Sequence, residues 1–144
     1  MPETSTNGWQ GRALVVGGGG IGRALSAELA RRCPSLVVTL ATRHPLSDAE
    51  WTVDLENPES LAQLTEQLRA DSHPLRVVIN ATGRLHGPSY QPEKRLQQAE
   101  QSSLLDSFAI NAAGPLLLAK SVEPVLSRNT PFHFASLSAR VGSI

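Results

Sequence analysis

The chain has 144 residues, 40% hydrophobic, 18% charged and 4% aromatic, and its 13 basic and 13 acidic side chains give zero formal net charge. That is enough apolar chain for one folded core, and too apolar for a disordered polymer. A neutral balance without a basic block argues against nucleic acid or an anionic membrane surface as the main partner.

The opening, MPETSTNGWQ, has no basic region followed by an apolar stretch, and residues 1–10 read as a flexible lead-in. Ala13-Leu14-Val15-Val16 is an apolar run that stops at four glycines, Gly17 to Gly20, and predicts a buried strand ending in a tight turn. Ile21, Leu25 and Leu29 then recur at helical spacing, and that helix should end before Pro34. Leu36 to Leu40 predicts a second buried strand, and Trp51 to Asp54 a short extended piece. Asn57-Pro58 reads as cap and first residue of a helix whose Leu61, Leu64 and Leu68 share a face. Leu75 to Ile79 is a third buried strand, ending at Asn80-Ala81-Thr82-Gly83.

Residues 84–95 are loop-like, and a helix is expected around Glu93 to Glu100. A long apolar helix follows from about Ser103 to Leu126, with an irregularity expected at Gly114-Pro115. Phe132 to Ala135 starts a last strand. No apolar run approaches the roughly 20 residues that span a bilayer. The single cysteine, Cys33, leaves no internal disulfide and fits a reducing compartment, so a cytoplasmic location is expected. Continuous apolar strands separated by helices indicate an α/β fold, a doubly wound parallel sheet over residues 11–144.

Gly17, Gly19 and Gly22 fit G-x-G-x-x-G, and they do so between a predicted strand and a predicted helix, the context this motif requires. The first glycine permits the turn, the second lets backbone approach a pyrophosphate, and the third lets helix and strand pack closely. The helix N-terminus adds unpaired N–H groups and a positive dipole end. Gly20 and Ile21 lie within the same turn and join the cofactor-binding set. An NAD site places a carboxylate at the end of the second strand. Here that region reads Ala41-Thr42-Arg43-His44, with no carboxylate and with a guanidinium suited to a 2′-phosphate. NADP is therefore the expected cofactor, with NAD the alternative, and Thr42 and Arg43 are assigned to its binding.

Further segments occur in a specific order: Asp54-Leu55, then Asn80-Ala81-Thr82-Gly83, then Asn111 in the long helix, then Ser136-Leu137-Ser138 at the last strand's end. Taken with the glycine turn, the chain from Arg12 onward resembles the short-chain dehydrogenase/reductase family. Its ending, Ser-Ala-Arg-Val-Gly-Ser-Ile, is similar to the subgroup related to C-factor and small carbonyl reductases. The resemblance implies a Rossmann-type fold and hydride transfer between NADPH and a small carbonyl or alcohol substrate. It places Asp54 and Leu55 at the adenine edge and Asn80, Ala81, Thr82 and Gly83 beside the cofactor. It gives Asn111 a water of the proton relay, and Ser138, with Ser136 the weaker candidate, the substrate oxygen. Independently of the resemblance, Asn111 stands in an apolar helix, where burial of its amide is expected to demand hydrogen-bond partners.

In that family the proton donor is a tyrosine with a lysine four residues on, both beyond the serine strand. Neither follows Ser138 here, and Tyr90-Gln91-Pro92-Glu93-Lys94 has the spacing but the wrong place and a proline between. The chain is thus expected to be the front portion of a longer reductase, truncated after the fifth strand, and a homo-oligomer is a further expectation. A non-catalytic nucleotide-binding module is the alternative function. A methyltransferase fits less well, and no Gly-x-Ser-x-Gly elbow points to a hydrolase. His44, His73, His86 and His133 show no metal-ligand spacing.

Overall fold

The structure, a computed structural model, describes residues 9–85, 87–88 and 91–138. Its strands are β1 (Gly11–Val16), β2 (Leu36–Thr42), β3 (Trp51–Thr52), β4 (Leu75–Asn80) and β5 (His133–Ser136). They form one sheet in the order β3-β2-β1-β4-β5, with every neighbouring pair parallel. Val15 sits between Leu40 and Ile79 in this register. Each residue of β1 is buried, as a central strand covered on both faces requires. The order reverses at β1, so the chain forms a crevice outside the carboxyl ends of the central strands.

Helices α1 (Gly20–Arg32) and α2 (Pro58–Ala70) lie on opposite faces. The α2 start is as predicted: the Asn57 side chain accepts from Glu59 N at 2.9 Å and Ser60 N at 3.4 Å, and Pro58 opens the first turn. Leu61, Leu64 and Leu68 are its buried face. They meet Leu14, Val16, Val78, Leu118 and Val122 in the larger core. Burial of each such side chain stabilises by about 1.5–3 kcal/mol. A smaller core on the α1 side joins Ala13, Cys33 and Leu36.

The segment 93–126 departs from expectation in three ways. Its irregularity lies before Gly114-Pro115: α3 (Gln101–Phe108) passes through a π-helical turn, Ala109–Ala113, into α4 (Gly114–Val122). The cause is Pro115, which offers no N–H to the Asn111 carbonyl and whose ring crowds it. The turn widens, and Gly114 N donates to Ala109 O instead. Only a single 3-10 turn, Leu96–Gln98, forms where a helix over Glu93 to Glu100 was expected. Finally, the continuous helix Gln101–Val125 has a window of mean hydropathy 1.2 and is, by length and composition, long and apolar enough to cross a membrane. In the fold one stripe of it, Ile110, Gly114, Leu118 and Val122, is buried against the sheet.

The amino ends of the strands carry two polar clusters. Arg12, only 8% exposed, donates to both Asp71 oxygens and to Thr39 Oγ1, and its guanidinium lies 4.7 Å from the Trp51 ring. Beside it, Trp9 stacks on His133 at 4.9 Å and carries the Arg76 guanidinium 4.5 Å from its ring. Trp9 packs on the smaller core, while residues 1–8 of the expected lead-in lie outside the described residues.

Candidate functional site

At the opposite end of the sheet, the glycine turn, the β2 end and the β4 end enclose a cavity of about 450 Å³. Three glycines there are required by sterics. Gly17 has φ +124°, a conformation that side chains rarely adopt. A Cβ at Gly22 would lie 1.8 Å from the Gly17 carbonyl oxygen, and one at Gly18 2.4 Å from Thr42 Oγ1. Gly19 and Gly20 are different, because a Cβ on either meets nothing within 4 Å. The turn is thus closed by Gly17, Gly18 and Gly22 and open at Gly19 and Gly20.

That opening is the start of α1. Gly19 is its N-cap, no side chain caps the first turn, and no acidic residue stands in it. The unpaired N–H groups and the positive helix end are left for an anion. The residues present therefore fit the pyrophosphate of a dinucleotide.

Arg23, in the first turn of α1, braces the cradle. Its Nε donates to Gly18 O at 3.0 Å, and its NH1 donates to Glu50 Oε1 at 2.5 Å. The other Glu50 oxygen accepts from Leu46 N at 2.8 Å. These contacts tie the glycine turn to the loop after β2. The Arg23 hydrogen bond, then that of Leu46, holds the Glu50 carboxyl below its ordinary pKa, and Glu50 raises that of Arg23.

Asn80 organises the strand ends. Buried, it donates from Nδ2 to Ser136 Oγ at 3.0 Å and accepts at Oδ1 from Thr82 Oγ1 at 2.7 Å and Thr82 N at 3.2 Å. Ala81 N donates to Val16 O at 2.7 Å, and Leu137 N to Asn80 O at 3.0 Å. Asn80 and Ala81 together thereby link the ends of β1, β4 and β5. Ser136 is engaged in this contact, whereas Ser138 lies two residues past the strand and is exposed.

Asn111 is exposed, which corrects the expected burial. Its amide still has partners: Oδ1 accepts from Arg84 N at 2.7 Å, and Nδ2 donates to Arg84 O at 2.6 Å and Ser107 Oγ at 3.1 Å. It pins the loop after β4 to the π-helical turn. Asp54 makes a local turn, accepting from Glu56 N at 3.0 Å.

Of the residues assigned from sequence, Gly17, Gly19, Thr42, Arg43, Leu55, Ala81, Thr82 and Gly83 line the cavity. Gly20 and Ile21 stand exposed at the open side of the turn, and Gly22 packs beneath it. Asp54, Asn80, Asn111 and Ser138 stand outside the lining. The sequence reading missed Arg23 and Arg84, which also line it. Arg23 directly follows the last motif glycine, a positional signal within reach of sequence. Arg84 had none, since its partners Glu56, Asp106 and Asn111 lie 22 to 28 positions away.

A family model described as short chain dehydrogenase matches residues 12–131. No curated protein matches the chain. Among solved structures, one described as ribose-5-phosphate isomerase from Brucella melitensis is 20% identical, the match covering 97% of this chain and 55% of that one at TM-score 0.76. A short-chain dehydrogenase/reductase from Saccharomyces cerevisiae is 18% identical over 93% of this chain and 55% of its own, at TM-score 0.77. Another from Burkholderia multivorans, with bound NADP, is 20% identical over 94% and 62%, at TM-score 0.74. Identities this low show the shared fold alone. The chain spans little more than half the length of these structures.

Proposed function

The chain belongs to the short-chain dehydrogenase family, and from that premise we propose that it is the nucleotide-binding portion of an NADP-dependent oxidoreductase acting on a carbonyl or alcohol. One observation carries the reading. The glycine turn is open at Gly19 toward a cavity that Arg43 also lines, and no carboxylate ends β2. The NADP of the Burkholderia structure supports it, while the partially ordered NAD of a Brucella ovis relative keeps NAD as the alternative.

When bound, the dinucleotide supplies or takes the hydride. The chain's own residues bind and orient. Backbone N–H groups at the start of α1 hold the pyrophosphate, and the Arg43 guanidinium meets the 2′-phosphate. Leu55 gives the adenine an apolar wall, with Asp54 at its edge. Asn80, Ala81, Thr82 and Gly83 support the ribose side. Asn111 serves the proton relay, and Ser138 receives the substrate oxygen, as the family resemblance implies. The ending from Ser138 onward supports the C-factor and carbonyl-reductase branch. Neutral charge and a single cysteine support a cytoplasmic enzyme of small molecules.

The test is dinucleotide binding by calorimetry on the full chain and on Arg43→Ala. Loss of a charge-assisted contact should lower the preference for NADP+ over NAD+ by about tenfold. An unchanged preference overturns the assignment of Arg43.

A further inference from the structure

Next to the glycine cavity lies a second one of about 600 Å³; Arg43 and Arg84 line both, and Glu56 lines the second. Glu56 reaches both guanidinium groups. Its Oε2 is 2.8 Å from Arg84 NH2 and 3.9 Å from Arg43 NH1, and its Oε1 accepts from Arg84 NH1 at 3.3 Å. A carboxylate thus occupies the place between two guanidinium groups where a phosphate would be welcome.

We infer that Glu56 is the selectivity gate of the cofactor's ribose subsite, a resident anion that the 2′-phosphate of NADP displaces, and that Arg84 is the second cation that then receives it. The inference rests on the NADP reading above and adds to it the competitor and the second ligand. Arg84 is suited to the exchange because Glu56 is not its only anchor. Its NH1 is held by Asp106 Oδ1 at 2.6 Å, and its backbone is held on both sides by the Asn111 amide. Its side chain is only 17% exposed, so it is a fixed point in the wall. Glu56 is the movable member, on an exposed turn, and its contact with Arg43 is loose. A phosphate dianion brings more charge and more acceptor oxygens than the Glu56 carboxylate it replaces, Asp106 keeping its own contact with Arg84, and Glu56 can swing into water when it does. NAD has no group to drive the exchange, so the gate acts on NADP alone.

The probes are 2′,5′-ADP and 5′-AMP, which differ only in the 2′-phosphate, titrated calorimetrically into the full chain. Glu56→Gln should tighten 2′,5′-ADP about three- to tenfold while moving 5′-AMP by less than about twofold. The gain should shrink as salt is raised. Arg84→Met should weaken 2′,5′-ADP and spare 5′-AMP. If that variant does not fold, Glu56→Asp, which keeps the charge and should leave the preference near that of the parent, completes the set. No gain in Glu56→Gln, or a loss of 5′-AMP binding in it, overturns the gate. The two readings fail differently. If the parent binds both probes equally, the NADP reading falls. If it prefers 2′,5′-ADP and loses that preference in Arg43→Ala but ignores Glu56→Gln, the gate alone falls.

Discussion

At the scale of single residues, the glycine turn separates two jobs that its sequence pattern merges. Gly22 is needed for packing, since a side chain there would strike the Gly17 carbonyl. Gly22→Ala should therefore cost about 2 kcal/mol or more, read in denaturant unfolding. Gly19 faces open space, so Gly19→Ala should change stability by less than about 1 kcal/mol yet weaken dinucleotide binding. Equal losses of stability in both variants would contradict this division. The glycines were legible because backbone sterics dictate residue type directly. The asparagines were legible only in part. Asn111 announces itself as an amide in an apolar helix, but its partner is the backbone of Arg84, which any residue offers. The Glu56–Arg84–Asp106 chain was not legible, because surface charges pair through tertiary geometry.

At the scale of elements, the strands and α2 followed from apolar runs and the Asn57-Pro58 start, since burial and capping are local or periodic demands. Arg12 is the exception, a charge inside the first strand. Its partner Asp71 follows the last residue of α2 and fixes how that helix end meets the sheet. Burial works to raise the Asp71 carboxyl, but hydrogen bonds from Arg12 and then His73 outweigh it and bring it down to about 2. A depressed carboxyl contributes stability that is fully present above its ordinary value near 3.8 and is lost as pH falls toward 2. Acid unfolding should therefore steepen between those two values. Asp71→Asn should remove that steepening and cost about 3 kcal/mol at neutral pH, because Arg12 would stay buried without its counter-charge. An unaltered acid limb in chemical-denaturation curves taken across this range would contradict the assignment. The misplaced helix irregularity has an equally local cause. Pro115 acts one turn upstream, on the Asn111 carbonyl, and not at its own position.

At the scale of the whole molecule, the parallel sheet gives the protein two unlike ends. Carboxyl ends of the strands gather glycines and exposed charge around a cavity, and amino ends gather Arg12, Asp71, Trp9, Arg76 and His133 in two paired clusters. This polarity follows from strand direction, which the alternation of strands and helices revealed, whereas the aromatic clamp at Trp9 carried no periodic signal. Trp9→Ala should remove a ring stack and a cation–π contact, lowering stability by about 1–2 kcal/mol. Dinucleotide affinity should stay where it was. A parallel fall in affinity would show that the two ends are coupled.

The π-helical turn has one more consequence. An α-helix advances about 100° per residue, so one surplus residue shifts the phase of everything before it against everything after. The spiral carrying Leu104, Leu105 and Phe108 outward is therefore out of step with the spiral seating Leu118 and Val122 on the sheet. The joint works as a clutch between them. Descendants of this gene can re-aim the outer half by gaining or losing a single codon there, while the inner half keeps its grip on the sheet.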